Sequence, residues 1–68
     1  MQISARNQLQ GKVKSVRTGA IMAEVVVEIA GGQEIVSNIT KASVERLKLQ
    51  AGDAVTVIVK ASEVMIGK

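Results

Sequence analysis

The stretch AIMAEVVVEIAGGQEIVSNIT, Ala20 to Thr40, decides the fold class of this chain. From Ala23 to Ile29 the odd positions (Ala23, Val25, Val27, Ile29) are all apolar, while Glu24 and Glu28 flank Val26 on the alternate face. A period of two fits a strand that buries one side. AGG at Ala30 to Gly32 then turns the chain into QEIVSNIT, and Val, Ile and Thr dominate both arms, as strand packing favours. The unit reads as a β-hairpin.

Working outward, Gly11 to Arg17 carries Val13 and Val16 among basic and polar residues and reads as a half-exposed strand, followed by a turn at RTGA, Arg17 to Ala20. After Thr40 the period changes. KASVERLKL places Val44 and Leu47 three apart, with Thr40 available as N-cap, which predicts a helix of about two turns. AGD at Ala51 to Asp53 breaks it. AVTVIVK then returns to alternation, with Val55, Val57 and Val59 on one face. ASEV is a second break, and VMI at Val64 to Ile66 a short last strand. The expected fold is all-β with one short helix, a five-stranded antiparallel OB-like β-barrel.

Sixty-eight residues make one small domain, residues 1–68. Chains of this size usually need a staple, yet this one has no Cys, no His and no aromatic residue. Disulfides and the common zinc sites are excluded. Nearly half the residues are aliphatic or otherwise apolar, so self-association is the expected source of stability, and the domain is expected to be homo-oligomeric. Pro-free aliphatic strands leave sticky edges, which pairing between subunits would cover. No basic segment precedes an apolar run at the N-terminus, and no apolar run approaches the roughly 20 residues needed to span a bilayer. A soluble, cytoplasmic protein without membrane contact is expected.

The chemistry available is narrow. Without His or Cys, and with six carboxylates showing no paired spacing, catalysis is not expected. The formal charge of +3 favours an anionic partner. Lys12, Lys14 and Arg17 form a basic run, so an OB-like nucleic-acid-binding module is the alternative function. Single-strand binders, however, use aromatic side chains as stacking platforms, and there are none here. Lysines alternating on a strand also serve simply to keep one face solvated. A small oxyanion asks for less: convergent donors and one or two cations. SARN offers Ser4 and Arg6; NITKAS offers Thr40 at a helix start; VKAS offers Lys60, Ser62 and the N–H groups of a tight break. Each has an ordinary alternative, Thr40 as a cap, Lys60 as an edge residue, Arg6 as a surface charge. Spacing alone does not bring them together.

SARNQLQGKV from Ser4, VVVEIAGGQEIVSNIT ending at Thr40, and SVERLKLQAGDAVTVIVKASEVMI ending at Ile66 together resemble a molbindin. This is the stand-alone molybdenum–pterin-binding, or Mop/TOBE-type, family, and the likeness covers essentially the whole chain. It implies a five-stranded OB-like barrel assembled as a homohexamer, a trimer of dimers, that binds molybdate or tungstate in the cytoplasm at sites between subunits. It implies oxyanion ligands at Ser4, Arg6, Thr40, Lys60 and Ala61, with Ser62 also matching the motif. It further implies a second class of site nearer the three-fold axis. With its own Met1 and nothing appended, the chain reads as the free storage or homeostasis form.

Overall fold

The computed structural model describes all 68 residues. One long strand organises it. β1, Asn7–Thr18, pairs through its first half with β4, Ala54–Val59, and through its second half with β2, Met22–Ile29. β2 pairs in turn with β3, Glu34–Thr40, giving an antiparallel sheet of order β3-β2-β1-β4. The helix α1, Lys41–Leu47, follows β3 directly.

Two features of β1 curl this sheet into a half-barrel. Gly11 pairs with Ile29 on one side and Val55 on the other. A Cβ there would lie 2.6 Å from Val27 Cγ1 and 2.8 Å from the Glu28 carbonyl, so only glycine allows the approach. Three residues later Lys14 forms a β-bulge: Val13 opposes Val27, but Ser15 opposes Val26. The extra residue bends the strand and shifts its alternation by one. This is why Val13 and Val16, an odd and an even position, both face the core.

That core holds five buried residues, Val13, Ala23, Val25, Val27 and Val44. Val16, Ile29, Ile39, Leu49, Val55 and Val57 pack against it. The alternation expected for Ala23 to Ile29 is therefore observed, and the turn at Ala30–Gly32 closes the hairpin with Gly31 and Gly32 at φ 83° and 79°. Thr40 caps α1 as expected, accepting from the Ser43 N–H at 3.0 Å.

Three expectations are corrected. β1 begins at Asn7 rather than Gly11, because Leu9 and Gly11 continue the ladder with Val57 and Val55 while Gln8 and Gln10 hide the strand in polar composition. α1 ends before the AGD break, where Lys48 takes the left-handed conformation at φ 54°. The fifth strand at Val64–Ile66 is not formed. β4 is hydrogen-bonded only to β1, and after a turn at Ala61–Glu63 the chain meets no strand to pair with. Met65 and Ile66 are 92% and 88% exposed. The sheet thus stops at four strands, with an apolar trough of about 210 Å³ open between its edge strands β3 and β4. No helix is long and apolar enough to cross a membrane.

Candidate anion-binding site

The Asn7–Val59 pair is the last rung of the β1–β4 ladder. Antiparallel geometry carries the residues beyond it, Arg6 and Lys60, out of the sheet side by side. They open onto a depression of about 700 Å³, lined by Ser4, Ala5, Arg6, Asn7, Lys60, Ala61 and Ser62. Five of the six residues nominated from sequence, Ser4, Arg6, Lys60, Ala61 and Ser62, are therefore brought together from opposite ends of the chain.

The chemistry of this surface is one-sided. Two cations line it and no carboxylate does. The chain's ion pairs, Lys14–Glu34 and Arg17–Glu24, lie elsewhere on the sheet. The Ser4 and Ser62 hydroxyls, the Arg6 guanidinium, the Asn7 amide and the Lys60 ammonium make no hydrogen bond within the chain. The turn after β4 adds backbone donors. Its own bonds run from the Glu63 N–H to the Lys60 carbonyl at 2.9 Å and from the Val64 N–H to the Ala61 carbonyl at 3.3 Å. The N–H groups of Ala61 and Ser62 are left free, as at the start of any helical turn.

Thr40 is not part of this group. It pairs with Met22, at the end of the sheet where β1 finishes, and lines a separate shallow surface with Ala20, Ile21, Lys41, Ala42 and Glu45. About 30 Å of strand separates the two ends. The Thr40 hydroxyl donates to Ser43 Oγ at 2.8 Å while accepting from the Ser43 N–H. Ser43, not singled out from the sequence, thus puts a second hydroxyl beside Thr40. Its signal was the position three residues after an N-cap. Asn7, next to Arg6 in the SARN stretch, also lines the depression.

The basic run proposed for nucleic acid is neutralised. Lys14 pairs with Glu34, and the hydrogen bond and charge of that carboxylate raise its pKa from the ordinary lysine value. Arg17 Nη1 lies 3.9 Å from Glu24 Oε2, and Lys12 stands opposite Glu28 in the β1–β2 register. Each cation of the run faces a carboxylate, on β2 for Lys12 and Arg17 and on β3 for Lys14. No uninterrupted positive stripe remains to follow a phosphate backbone.

A family model described as the TOBE domain matches residues 3–66. This chain belongs to the TOBE family. Within the family it groups with the molbindins: it is 53% identical over 66 residues to molybdenum-pterin-binding protein 1 of Clostridium pasteurianum, covering 97% of each chain. MopII from the same organism superposes with a TM-score of 0.93 at 51% identity, over 98% of this chain and 100% of that one. ModG, a cytoplasmic molybdate-binding protein solved with molybdate bound, superposes with a TM-score of 0.91 at 45% identity. This TOBE domain covers 96% of its own length in that match and 46% of ModG.

Proposed function

We propose that this TOBE domain binds molybdate, with tungstate as an alternative ligand, and that Arg6 and Lys60 supply the charge. The observation that carries this reading is the convergence of those two cations with the free donors of Ser4, Ala61 and Ser62 on a surface without a carboxylate. Molybdate at neutral pH carries two negative charges and no proton, so it needs donors only. Phosphate retains a proton that asks for an acceptor, and no carboxylate is there to take it. Sulfate has the right charge but is smaller, so a cavity sized for molybdate holds it less well. Tungstate matches molybdate in both respects. The clostridial relative is named for binding molybdenum-pterin and ModG for binding molybdate, which supports molybdenum as the element and, through ModG, molybdate as the ligand.

Thr40 enters this reading from a second copy of the chain. It lies at the far end of the sheet from Arg6 and Lys60 of its own chain, so one anion meets all three only across a subunit boundary. The open trough between β3 and β4 and the exposed Val64–Ile66 tail support self-association. A tail segment laid against a free sheet edge would supply the fifth strand of an OB-like barrel. A homohexamer built as a trimer of dimers, acting in the cytoplasm as a molybdate store or buffer rather than as an enzyme, is the form we assign to it. Binding and assembly are then coupled.

Calorimetric titration with molybdate, tungstate, sulfate and phosphate tests the ligand. Heat with the first two and little with the others is expected. Equal binding of sulfate, or none of molybdate, would overturn the proposal.

A further inference from the structure

The segment Ser4–Arg6 carries two of the proposed ligands, yet it lies outside the sheet. The β1 ladder begins at Asn7, and none of the turn and loop backbone hydrogen bonds involves residues 1–6. A single bond ties the segment down: Gln8 Nε2 donates to the Ala5 carbonyl at 2.7 Å. Gln8 itself is fixed in the ladder opposite Ile58. Ala5 lines the depression and Gln8 does not, so the carbonyl is engaged by a group outside the site.

This bond sets a whole peptide plane. The Ala5–Arg6 peptide is planar and trans, which places its carbonyl and its N–H on opposite sides. Holding the Ala5 oxygen towards Gln8 therefore turns the Arg6 N–H the other way, and that N–H donates to no group of the chain. The orientation matters beside a dianion. A peptide presenting N–H attracts it, and one presenting C=O repels it.

Resting on the oxyanion reading above, we propose that Gln8 is a positioning residue of the anion site. It clamps the Ala5–Arg6 peptide so that the N–H, not the carbonyl, is offered to the bound oxyanion. Gln8 does not touch the anion. It acts by removing the alternative orientation of a segment that nothing else restrains.

Gln8→Met keeps the side-chain length and removes the donor; Gln8→Glu keeps the shape and replaces the donor with an acceptor. Molybdate affinity by calorimetry should fall about fivefold to tenfold in Gln8→Met, the usual worth of one such hydrogen bond, and further in Gln8→Glu. Melting temperature and oligomeric mass should not change. In ¹⁵N-edited spectra of the whole protein, molybdate should move the Arg6 amide proton downfield in the unmodified chain and distinctly less in Gln8→Met. Unchanged affinity in Gln8→Met, an Arg6 amide that responds equally in both proteins, or an affinity loss that tracks a fall in melting temperature would overturn the positioning role. If the unmodified protein takes up no molybdate, the reading of the site itself falls. If it does and Gln8→Met matches it, only the role of Gln8 falls.

Discussion

Arg6 and Lys60 stand as neighbours just beyond the Asn7–Val59 rung, and neither meets a carboxylate. Like charges lining one depression repel, and an anion between them reverses the sign of that interaction. Arg6→Ala or Lys60→Ala should weaken molybdate binding by about one to two orders of magnitude, the worth of a hydrogen bond to a charged group. The empty protein should melt no lower than before. Calorimetry for affinity and a thermal scan for stability check both halves. Retained affinity in Arg6→Ala would remove the depression from consideration.

Thr40 has two assigned roles that substitutions can separate. Thr40→Ala removes the cap of α1 and should cost about 1 kcal/mol of stability as well as molybdate affinity. Thr40→Asp restores a good cap but sets a negative charge where the anion would lie. It should melt like the unmodified chain and still bind molybdate poorly, whereas Thr40→Ser should preserve both properties. Tight binding by Thr40→Asp would confine Thr40 to capping.

Gly11→Ala should destabilise the fold by about 1–3 kcal/mol, because the new methyl has to displace Val27 Cγ1 and the Glu28 carbonyl. With no aromatic residue in the chain, fluorescence cannot follow this, and far-UV circular dichroism or calorimetry is the measurement. An unchanged melting temperature would mean that the sheet is less tightly curled at Gly11 than described.

Deleting Val64–Lys68 should shift the protein towards smaller species in light scattering after size-exclusion chromatography. That segment exposes Val64, Met65 and Ile66 and joins no strand of its own chain. An unaltered mass would show that assembly uses other surfaces.

The Lys14–Glu34 pair gives a pH dependence with a definite sign. Its folded pKa is raised above the ordinary 10.5, so its contribution is complete below the unfolded value and is lost as pH rises through the folded one. The difference in melting temperature between the unmodified chain and Lys14→Met should stay flat from pH 7 to about pH 10 and shrink above that. A difference that already shrinks between pH 7 and 9 would assign the effect to another group.

Much of this architecture was legible because aliphatic alternation is a local signal. Ala23 to Ile29 announced both a strand and its buried face, and Thr40 announced the start of α1. The resemblance supplied the site residues, and the Asn7–Val59 pairing explains why residues 4–6 and 60–62 share one surface. What stayed hidden depended on register or on long-range pairing. Gln8 and Gln10 disguised the first half of β1, since a polar face looks like a loop until its partner strand is known. The VMI segment has strand composition but leaves the Ala61–Glu63 turn without pairing to the sheet of its own chain. Nothing in the residue types at Ser4, Arg6 and Lys60 told that Thr40 would lie at the other end of the sheet.

The bulge at Lys14 makes β1 resemble a message read in two frames. Up to Val13 the odd-numbered residues face inward; from Val16 onward the even-numbered ones do. The count of residues between those two valines therefore carries as much information as their identities. Taking out Lys14 alone would leave Val13, Ser15 and Val16 opposite Val27, Val26 and Val25 in one unbroken alternation, with both valines still inward, and what the strand would lose is its bend. A residue lost from the strand on either side of the bulge would exchange the two faces, whereas the loss of Lys14 spares the core and costs only the curl of the sheet.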